Sequence, residues 1–176
     1  MNGKQLKNSI LQWAIQGKLV PQDPNDEPAS VLLERIRAEK ARLVKEKKIK
    51  KDKNESIIYR GEDNSYYEKF LATREVKCID EEIPFEIPAT WEWCRLLSIV
   101  SLLGDGIHGT PEYSEGGSVY FINGNNLFDG QILIKPDTKT VSKEEAVKHS
   151  RLLNESTVLV SINGTIGNIA FYSGEN

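Results

Sequence analysis

Residues 29–51, ASVLLERIRAEKARLVKEKKIKK, combine strong helix formers with an apolar seam that is too narrow to build a core of its own. The seam is made of Leu32, Leu33, Ile36, Leu43 and Val44. Glu39 and Lys40 interrupt it midway. A long charged helix with such a seam usually packs against one partner helix. The sequence therefore predicts a helix that needs a partner.

An earlier helix is predicted from apolar residues at spacings of three and four, namely Leu6, Ile10, Trp13, Ala14 and Gly17. It should stop before Pro21, where the turn-rich stretch PQDPNDEP begins. The second helix should start near Pro28, with Asn25 or Asp26 as its N-cap. We predict residues 1–53 to be a helical hairpin or coiled-coil arm, whose uncovered turns leave self-association open.

Residues 54–90 are predicted to be a connector. Within it, IIYR indicates a short strand and SYYEKFLA a short helix. Pro84 and Pro88 then restrict the chain to extended geometry. Trp91 and Trp93 follow with the alternation of a strand, which would turn one of them toward a core.

Residues 91–176 alternate short apolar runs with Gly, Asn and Asp turns: SVYFING, GQILI, TVLVSIN and GNIAFYS. KEEAVKHS between them indicates one short helix. Short strands with frequent turns are typical of a mostly antiparallel sheet or barrel-like domain. The sequence ends after FYSGEN, so we expect this domain to be truncated at its C-terminus. The predicted fold class is α+β: a helical arm, a connector and a mainly antiparallel β domain with short helices.

The net charge of −3 is unevenly distributed. Residues 1–53 hold 13 Lys and Arg against 7 Asp and Glu, whereas residues 54–90 hold 4 against 9 and residues 91–176 hold 6 against 10. A free-standing DNA binder normally presents one dominant basic face, because neutralised phosphates supply most of its affinity. If this chain touches DNA, we expect a larger assembly to help hold the duplex. The run from Lys45 to Lys53 could contact DNA electrostatically, but we favour a solvated helix end that complements its own dipole.

Several classes of protein are disfavoured. The longest apolar runs are far shorter than a membrane span, and the N-terminus lacks the apolar stretch of a signal peptide, so we expect a cytoplasmic protein. Cys78 and Cys94 are too few for a disulfide framework or a metal cluster, and we expect buried thiols. No phosphate-binding GxxxxGK loop is present, and Asp137, Glu144 and Glu145 lack the spacing of a metal-dependent nuclease. We therefore predict no catalytic residue, metal or cofactor.

Two blocks of sequence resemble a known family. The stretch LKNSILQWAIQGKLVPQDPNDEPASVLLERIRAEKARLVKEKKIKK resembles the helical spacer of type I restriction-modification specificity subunits. WEWCRLLSIVSLLGDGIHGTPEY, followed by YFINGNNLFDGQI and TVLVSINGTIGNIAFY, resembles the start of a target-recognition domain in the same subunits. The three motifs of this second block occur in the family's order behind that spacer.

The resemblance implies a non-catalytic, sequence-specific DNA recognition subunit. In that family, target-recognition domains read double-stranded DNA, while modification subunits carry out adenine methylation and a restriction subunit translocates and cleaves. Only one such domain is present in this chain, so reading of a complete bipartite site by this chain alone is not expected. The alternative is an assembly scaffold that docks modification subunits without binding DNA alone.

Candidate DNA contacts lie in two loops and one extended segment. In GDGIHGTPEY, three glycines let the backbone approach a ligand, and His108 and Thr110 could donate to phosphates or base edges. Asparagine pairs well with adenine, which favours Asn123, Asn125 and Asn126 at a strand end. Each loop could equally be an ordinary turn, since Asn-Gly and Asp-Gly favour hairpins.

Lys135 is the remaining candidate, as a phosphate ligand from an extended segment that also carries Lys139. The alternative is a strand edge guarded by lysine. For Asn163–Gly167, NGTIG, we favour a plain hairpin turn between two apolar strands.

Overall fold

The computed structural model describes residues 2–149 and 153–174. The chain divides into two compact units, Met1–Gly104 and Asp105–Asn176. Helices and antiparallel strands are both present, so the α+β class is confirmed. The coiled-coil arm, and the division at residues 53 and 90, stay predictions.

The first helix, α1, spans Gly3–Ile15. It begins with a capping box: the Asn2 side chain accepts from the Gln5 backbone N–H, and the Gln5 side chain accepts from the Asn2 N–H, each at 2.9 Å. The helix ends before Pro21, as predicted. Beyond it, Gly17 is left-handed (φ 67°), and a Cβ there would lie 2.4 Å from Cγ of Pro88. Only glycine fits this position.

The second helix, α2, spans Ala29–Lys45. Its N-cap is Pro28, which has no side-chain cap, so the prediction of Asn25 or Asp26 as N-cap was wrong. The first N–H of the helix, that of Ala29, donates instead to the Thr90 carbonyl oxygen at 2.8 Å, a backbone partner that takes the place of a capping side chain. Lys40, which interrupts the apolar seam, donates from Nζ to the carbonyl oxygen of Leu97 at 2.5 Å, in a third helix, α3, Leu96–Ile99.

Three antiparallel strands follow α2 in the order β1–β2–β3: Ser56–Arg60, Tyr66–Phe70 and Val76–Cys78. The predicted strand at IIYR is confirmed. The short helix predicted at SYYEKFLA was wrong, because that segment is β2. Aromatic residues favour strands when a cross-strand partner exists, and Tyr67 stacks on Tyr59 of β1 with 5.8 Å between ring centroids.

A salt-bridge network anchors this sheet. Glu68 of β2 is only 3% exposed, accepts from Ser56 Oγ at 2.5 Å, and is paired with Arg95. Arg95 also reaches Glu82, at 2.8 Å. The strand predicted through Trp91 and Trp93 is absent from the described structure; this segment is an irregular approach to α3. The two cysteines were predicted buried, which is wrong for the exposed Cys78, whereas Cys94 is half-buried.

Within its described residues, 105–149 and 153–174, the second unit contains six short strands, one α-helix and a 3-10 turn. The strands and the α-helix are β4 Val119–Tyr120, β5 Leu127–Phe128, β6 Gln131–Ile132, β7 Thr140–Val141, α4 Lys143–His149, β8 Val158–Val160 and β9 Ile169–Phe171. The pairs β4–β7, β5–β6 and β8–β9 are all antiparallel, as predicted, and α4 is the short helix predicted at KEEAVKHS.

A small core holds this unit together. Leu127, Ile132 and Ala170 are buried from β5, β6 and β9, and Leu159 of β8 packs against them. Because side chains alternate along a strand, the opposite face of the β8–β9 hairpin carries exposed apolar residues, Val158, Val160, Ile169 and Phe171. In the described parts of the chain, no helix has the length and apolar character needed to cross a membrane.

Candidate functional site

A groove of about 490 Å³ runs across the second unit, where three separate segments of sequence meet. Its walls are residues 105–108, from the glycine loop, residues 121–125, from the asparagine-rich turn, and residues 159–165, from β8 and the turn after it. The structure therefore brings His108, Asn123 and Asn125 to one surface. Of the other predicted site residues, Thr110, Asn126 and Lys135 do not line it.

The asparagine-rich turn is a short 3-10 helix, Gly124–Asn126, capped by Asn123. The Asn123 side-chain oxygen accepts from the Asn125 backbone N–H at 2.9 Å. This contact leaves the Asn123 amide N–H groups available toward the groove. The Asn125 side-chain amide is exposed, and it has no hydrogen-bond partner among residues 2–149 and 153–174. Both side chains keep donor capacity at the groove wall.

Asn126 supports this turn from inside. It is 5% exposed, and its side-chain nitrogen donates to the Leu133 carbonyl at 2.9 Å and to Thr138 Oγ1 at 3.0 Å. Its side-chain oxygen accepts from the Asn123 N–H at 3.2 Å. These bonds occupy both amide hydrogens, so the geometry favours a structural role for Asn126. Its predicted DNA contact stays a prediction.

The opposite wall is the turn that joins β8 to β9. Buried Ser161 donates from Oγ to the Thr165 carbonyl at 2.5 Å and accepts from the Asn168 N–H at 2.9 Å. Asn168 also donates from its side chain to the Gly124 carbonyl at 3.1 Å, which ties the two walls together. Gly124 permits this approach, since a Cβ there would meet Cβ of Ser161 at 3.0 Å.

The glycine loop supplies the third wall. His108 is exposed, with 81% of its side chain accessible, and its Nε2 lies 3.3 Å from Asp105 Oδ2. Thr110 is also exposed, two residues farther along the same loop. These side chains offer both a donor and an acceptor at the edge of the groove.

Lys135 lies beside the groove in a second, open depression that it shares with Asn125 and Asn168. Its Nζ donates to the Asn125 carbonyl oxygen at 3.0 Å, and its backbone N–H donates to Thr138 Oγ1 at 2.7 Å. Asn125 therefore links the two surfaces. Lys139, from the same segment, has its Nζ 6.0 Å from the ring centroid of Tyr113.

The groove is not basic, and its lining mixes polar side chains with apolar ones such as Ile107, Phe121 and Leu159. None of its lining residues is Lys or Arg, and its titratable groups are Asp105 and His108. Amides, a histidine ring and a carboxylate can exchange hydrogen bonds with the edges of planar polar groups such as nucleic-acid bases. Within the described residues, no cluster of three or more His, Cys, Asp or Glu side chains could hold a metal ion.

The sequence reasoning missed the role of residues 161–165. It favoured a plain hairpin turn at Asn163–Gly167; the hairpin is present, since β8 and β9 pair across it, but the turn also forms a groove wall. A signal for this was available. Ile122, Asn123 and Gly124 repeat as Ile162, Asn163 and Gly164, and both triplets line the groove.

Comparison with known proteins gives close relatives over almost the whole chain. It is 39% identical over 163 residues to the type I restriction enzyme EcoAI specificity subunit of Escherichia coli, a match that covers 93% of this chain and 24% of the relative. It is 34% identical over 158 residues to the EcoEI specificity subunit of the same organism, covering 89% of this chain and 23% of that relative. No protein-family profile and no solved structure matches it.

The chain thus spans about a quarter of the length of the curated relatives that it matches. The matched region takes in about nine-tenths of the chain, so it includes most of both compact units. About nine-tenths of the chain is thus homologous to part of two type I restriction enzyme specificity subunits.

Proposed function

We propose that this chain recognises DNA sequence for a type I restriction-modification enzyme, and that the groove of the second unit contacts base edges. The observation that carries the proposal is the convergence of three separate segments on one groove that carries three exposed asparagines, Asn123, Asn125 and Asn163. Amide donors and acceptors suit base readout, because phosphate contacts position a protein without conveying sequence. The asparagine amides of this groove, with no Lys or Arg beside them in its lining, favour base readout over phosphate binding.

Each groove residue has a distinct proposed role. Asn125, whose amide is exposed and without a partner among the described residues, is suited to bidentate pairing with adenine, with Asn123 beside it. Asp105 is suited to accept from a cytosine amino group, and His108 to donate to an acceptor. Thr110 and Lys135 would contact phosphates next to the bases.

The chain itself is proposed to be non-catalytic. The resemblance described above implies that modification subunits methylate adenine and that a restriction subunit translocates and cleaves, so this chain would direct both reactions by holding them at a chosen site. Its similarity to proteins that are named specificity subunits supports this division of tasks. We propose a cytoplasmic location, where the bacterial genome and the partner subunits would be found.

Selection from a randomised duplex library tests the proposal. The purified chain, alone and together with its cognate modification subunit, should enrich a defined base pattern. Asn125→Ala should change or relax one position of that pattern, with a loss of about 1–3 kcal/mol of discrimination there. Gln131→Ala removes another exposed amide outside the groove and should leave the pattern unchanged. Absence of any base preference, in both preparations, would contradict the proposal.

The alternative is a scaffold that docks modification subunits but does not bind DNA. Its supporting observation is α1, on which the large apolar residues Leu6, Ile10 and Trp13 are exposed in the described structure. Capture of a modification subunit by the chain, lost in Ile10→Asp, together with no DNA binding under any condition, would favour the scaffold over recognition.

A further inference from the structure

We infer that the first unit carries a second nucleic-acid contact, a sequence-independent phosphate-binding surface formed by Lys45, Lys47, Lys50, Lys51 and Lys53. We call these five residues the lysine surface. The inference extends the proposed function, and rests on it only for the choice of duplex DNA over other polyanions. The groove proposed to read bases has no Lys or Arg in its lining. Phosphate neutralisation by such residues supplies most of the affinity of DNA binders, so we expect positive charge elsewhere on the chain.

The helix dipole accounts for little of this positive charge. We interpreted residues 45–53 from the sequence as a helix end that complements its dipole, but α2 ends at Lys45. The dipole acts within the last turn, which already contains Arg42 and Lys45. Lys50, Lys51 and Lys53 lie beyond that range. Their charge needs another explanation.

Intramolecular pairing does not neutralise these lysines either. The nearby acid Glu46 is bound by Arg42 at 2.6 Å and by Lys48 at 2.8 Å, and Glu39 is also bound by Arg42. Among the residues that the structure describes, no member of the lysine surface forms an ion pair or a side-chain hydrogen bond, and all five are exposed. The surface therefore presents five free ammonium groups.

Three of these ammonium groups belong to one place in the fold. Lys45, Lys50 and Lys51 line a depression of about 270 Å³ at the end of α2. Ala41 and Val44 line it as well. Asp52 and Glu55 also line it, and Glu55 lies 3.9 Å from Arg37. Clustered lysines with free ammonium groups suit the closely spaced phosphates of a nucleic-acid backbone. They offer no means of reading bases.

The salt dependence of duplex binding tests this inference. For B-DNA, the slope of log Kobs against log salt is about −0.9 for each phosphate contact. The triple variant Lys45→Gln, Lys50→Gln, Lys51→Gln of the full chain should make that slope shallower by about 2.7, equally for every duplex sequence. Fluorescence anisotropy with labelled duplexes at several salt concentrations measures it. The matched control changes Lys4, Lys7 and Lys69, which are exposed in the same unit, to Gln.

Lys47→Gly provides a variant whose folding cannot explain a loss of binding. Lys47 has a left-handed backbone (φ 59°), which glycine adopts more readily, so the variant should melt at a higher temperature while the slope becomes shallower by about 0.9. A slope equal to that of the control in both variants would overturn the inference. Preferential binding of polyglutamate over duplex would do so too, since it would indicate an acidic protein partner.

The two proposals fail separately. Variants of the groove, such as Asn125→Ala, should alter the preferred sequence and leave the salt slope unchanged. Variants of the lysine surface should alter the slope and leave the preferred sequence unchanged. A chain with no base preference, but with a slope that depends on the lysine surface, would retain this inference and contradict base readout by the groove.

Discussion

Lys47 closes helix α2 in a conformation that suits glycine better than lysine. The Lys48 N–H donates to the Leu43 carbonyl at 2.9 Å, and the Lys47 N–H donates to the Val44 carbonyl at 3.0 Å. This pair of bonds is the Schellman motif, in which the residue after the C-cap is left-handed. A side chain with a Cβ adopts that region only at a cost in free energy.

We therefore expect Lys47→Gly to raise the free energy of unfolding by about 1 kcal/mol, measured by urea denaturation. The control is Lys50→Gly, which removes the same charge at a residue without a positive φ. That variant should be neutral or destabilising, because glycine there only adds entropy to the unfolded chain. Equal effects of the two substitutions would contradict the explanation by backbone strain.

Arg95 and Glu68 form an unequal pair. Glu68 is almost fully buried, whereas 43% of the Arg95 side chain is exposed and can also reach Glu82. Loss of either partner therefore has different consequences. Without Arg95, a carboxylate stays buried with only Ser56 as its side-chain donor; without the charge of Glu68, Arg95 keeps water and Glu82.

Accordingly, Arg95→Met should lower the free energy of unfolding by about 2–3 kcal/mol, whereas Glu68→Gln should lower it by about 1 kcal/mol. Chemical denaturation at neutral pH measures both changes. The reverse order would show that the stability of this network does not depend on the buried carboxylate.

At the scale of elements, the asparagine-rich turn shows how neighbours of the same type divide their roles. Asn126 points inward and bonds to the segment after β6, while Asn125 lies on the surface. Asn126 stabilises the turn through its hydrogen bonds, and the side chain of Asn125 is exposed on the surface of the turn. Substitution of each residue separates the two roles.

Asn126→Ala should lower the free energy of unfolding by about 2 kcal/mol, because Leu133 and Thr138 lose a buried donor. Asn125→Ala should change it by less than about 0.5 kcal/mol, as expected for an exposed side chain. Thermal or chemical unfolding of both variants checks this. Similar losses of stability in the two would contradict the assigned orientations.

One element that the sequence reasoning mistook is β2. Its residues Tyr66, Tyr67 and Phe70 have spacings that are also compatible with a short helix, and a five-residue window does not separate the two periods. Pairing decides the question: Tyr67 lies opposite Tyr59 on β1 and opposite Cys78 on β3. Those partners lie outside the five-residue strand itself, so the propensity of that segment alone could not reveal them.

For the whole molecule, carboxylates stabilised in the folded state set the response to acid. Hydrogen bonds from Arg95 hold the pKa of both Glu68 and Glu82 below the ordinary range, and Lys148 does the same for Glu145. A carboxyl with a lowered folded pKa stabilises the fold above its unfolded pKa. That stability is lost as the pH falls through the folded pKa.

We expect the free energy of unfolding to be nearly constant above about pH 5 and to decrease as the pH falls below about 4.5. Glu68→Gln should flatten this decrease more than Glu82→Gln, because Glu68 is buried while salt bridges of exposed carboxylates contribute little. Urea denaturation across the pH range measures it. A steeper decrease in Glu68→Gln would contradict the assignment.

The sequence alone predicted the two N-terminal helices, the antiparallel strands of residues 119–171 and the helix at 143–149. It also carried the resemblance to specificity subunits. Periodicity and turn residues are local signals, so they reach elements that form from neighbours in the chain. The tertiary structure decided which of the three asparagines is buried, that β2 is a strand, and that residues 105–108, 121–125 and 159–165 share one groove. The groove depends on contacts between residues far apart in sequence. The other two features depend on partners outside the turn or strand concerned, which the periodicity of that segment does not contain.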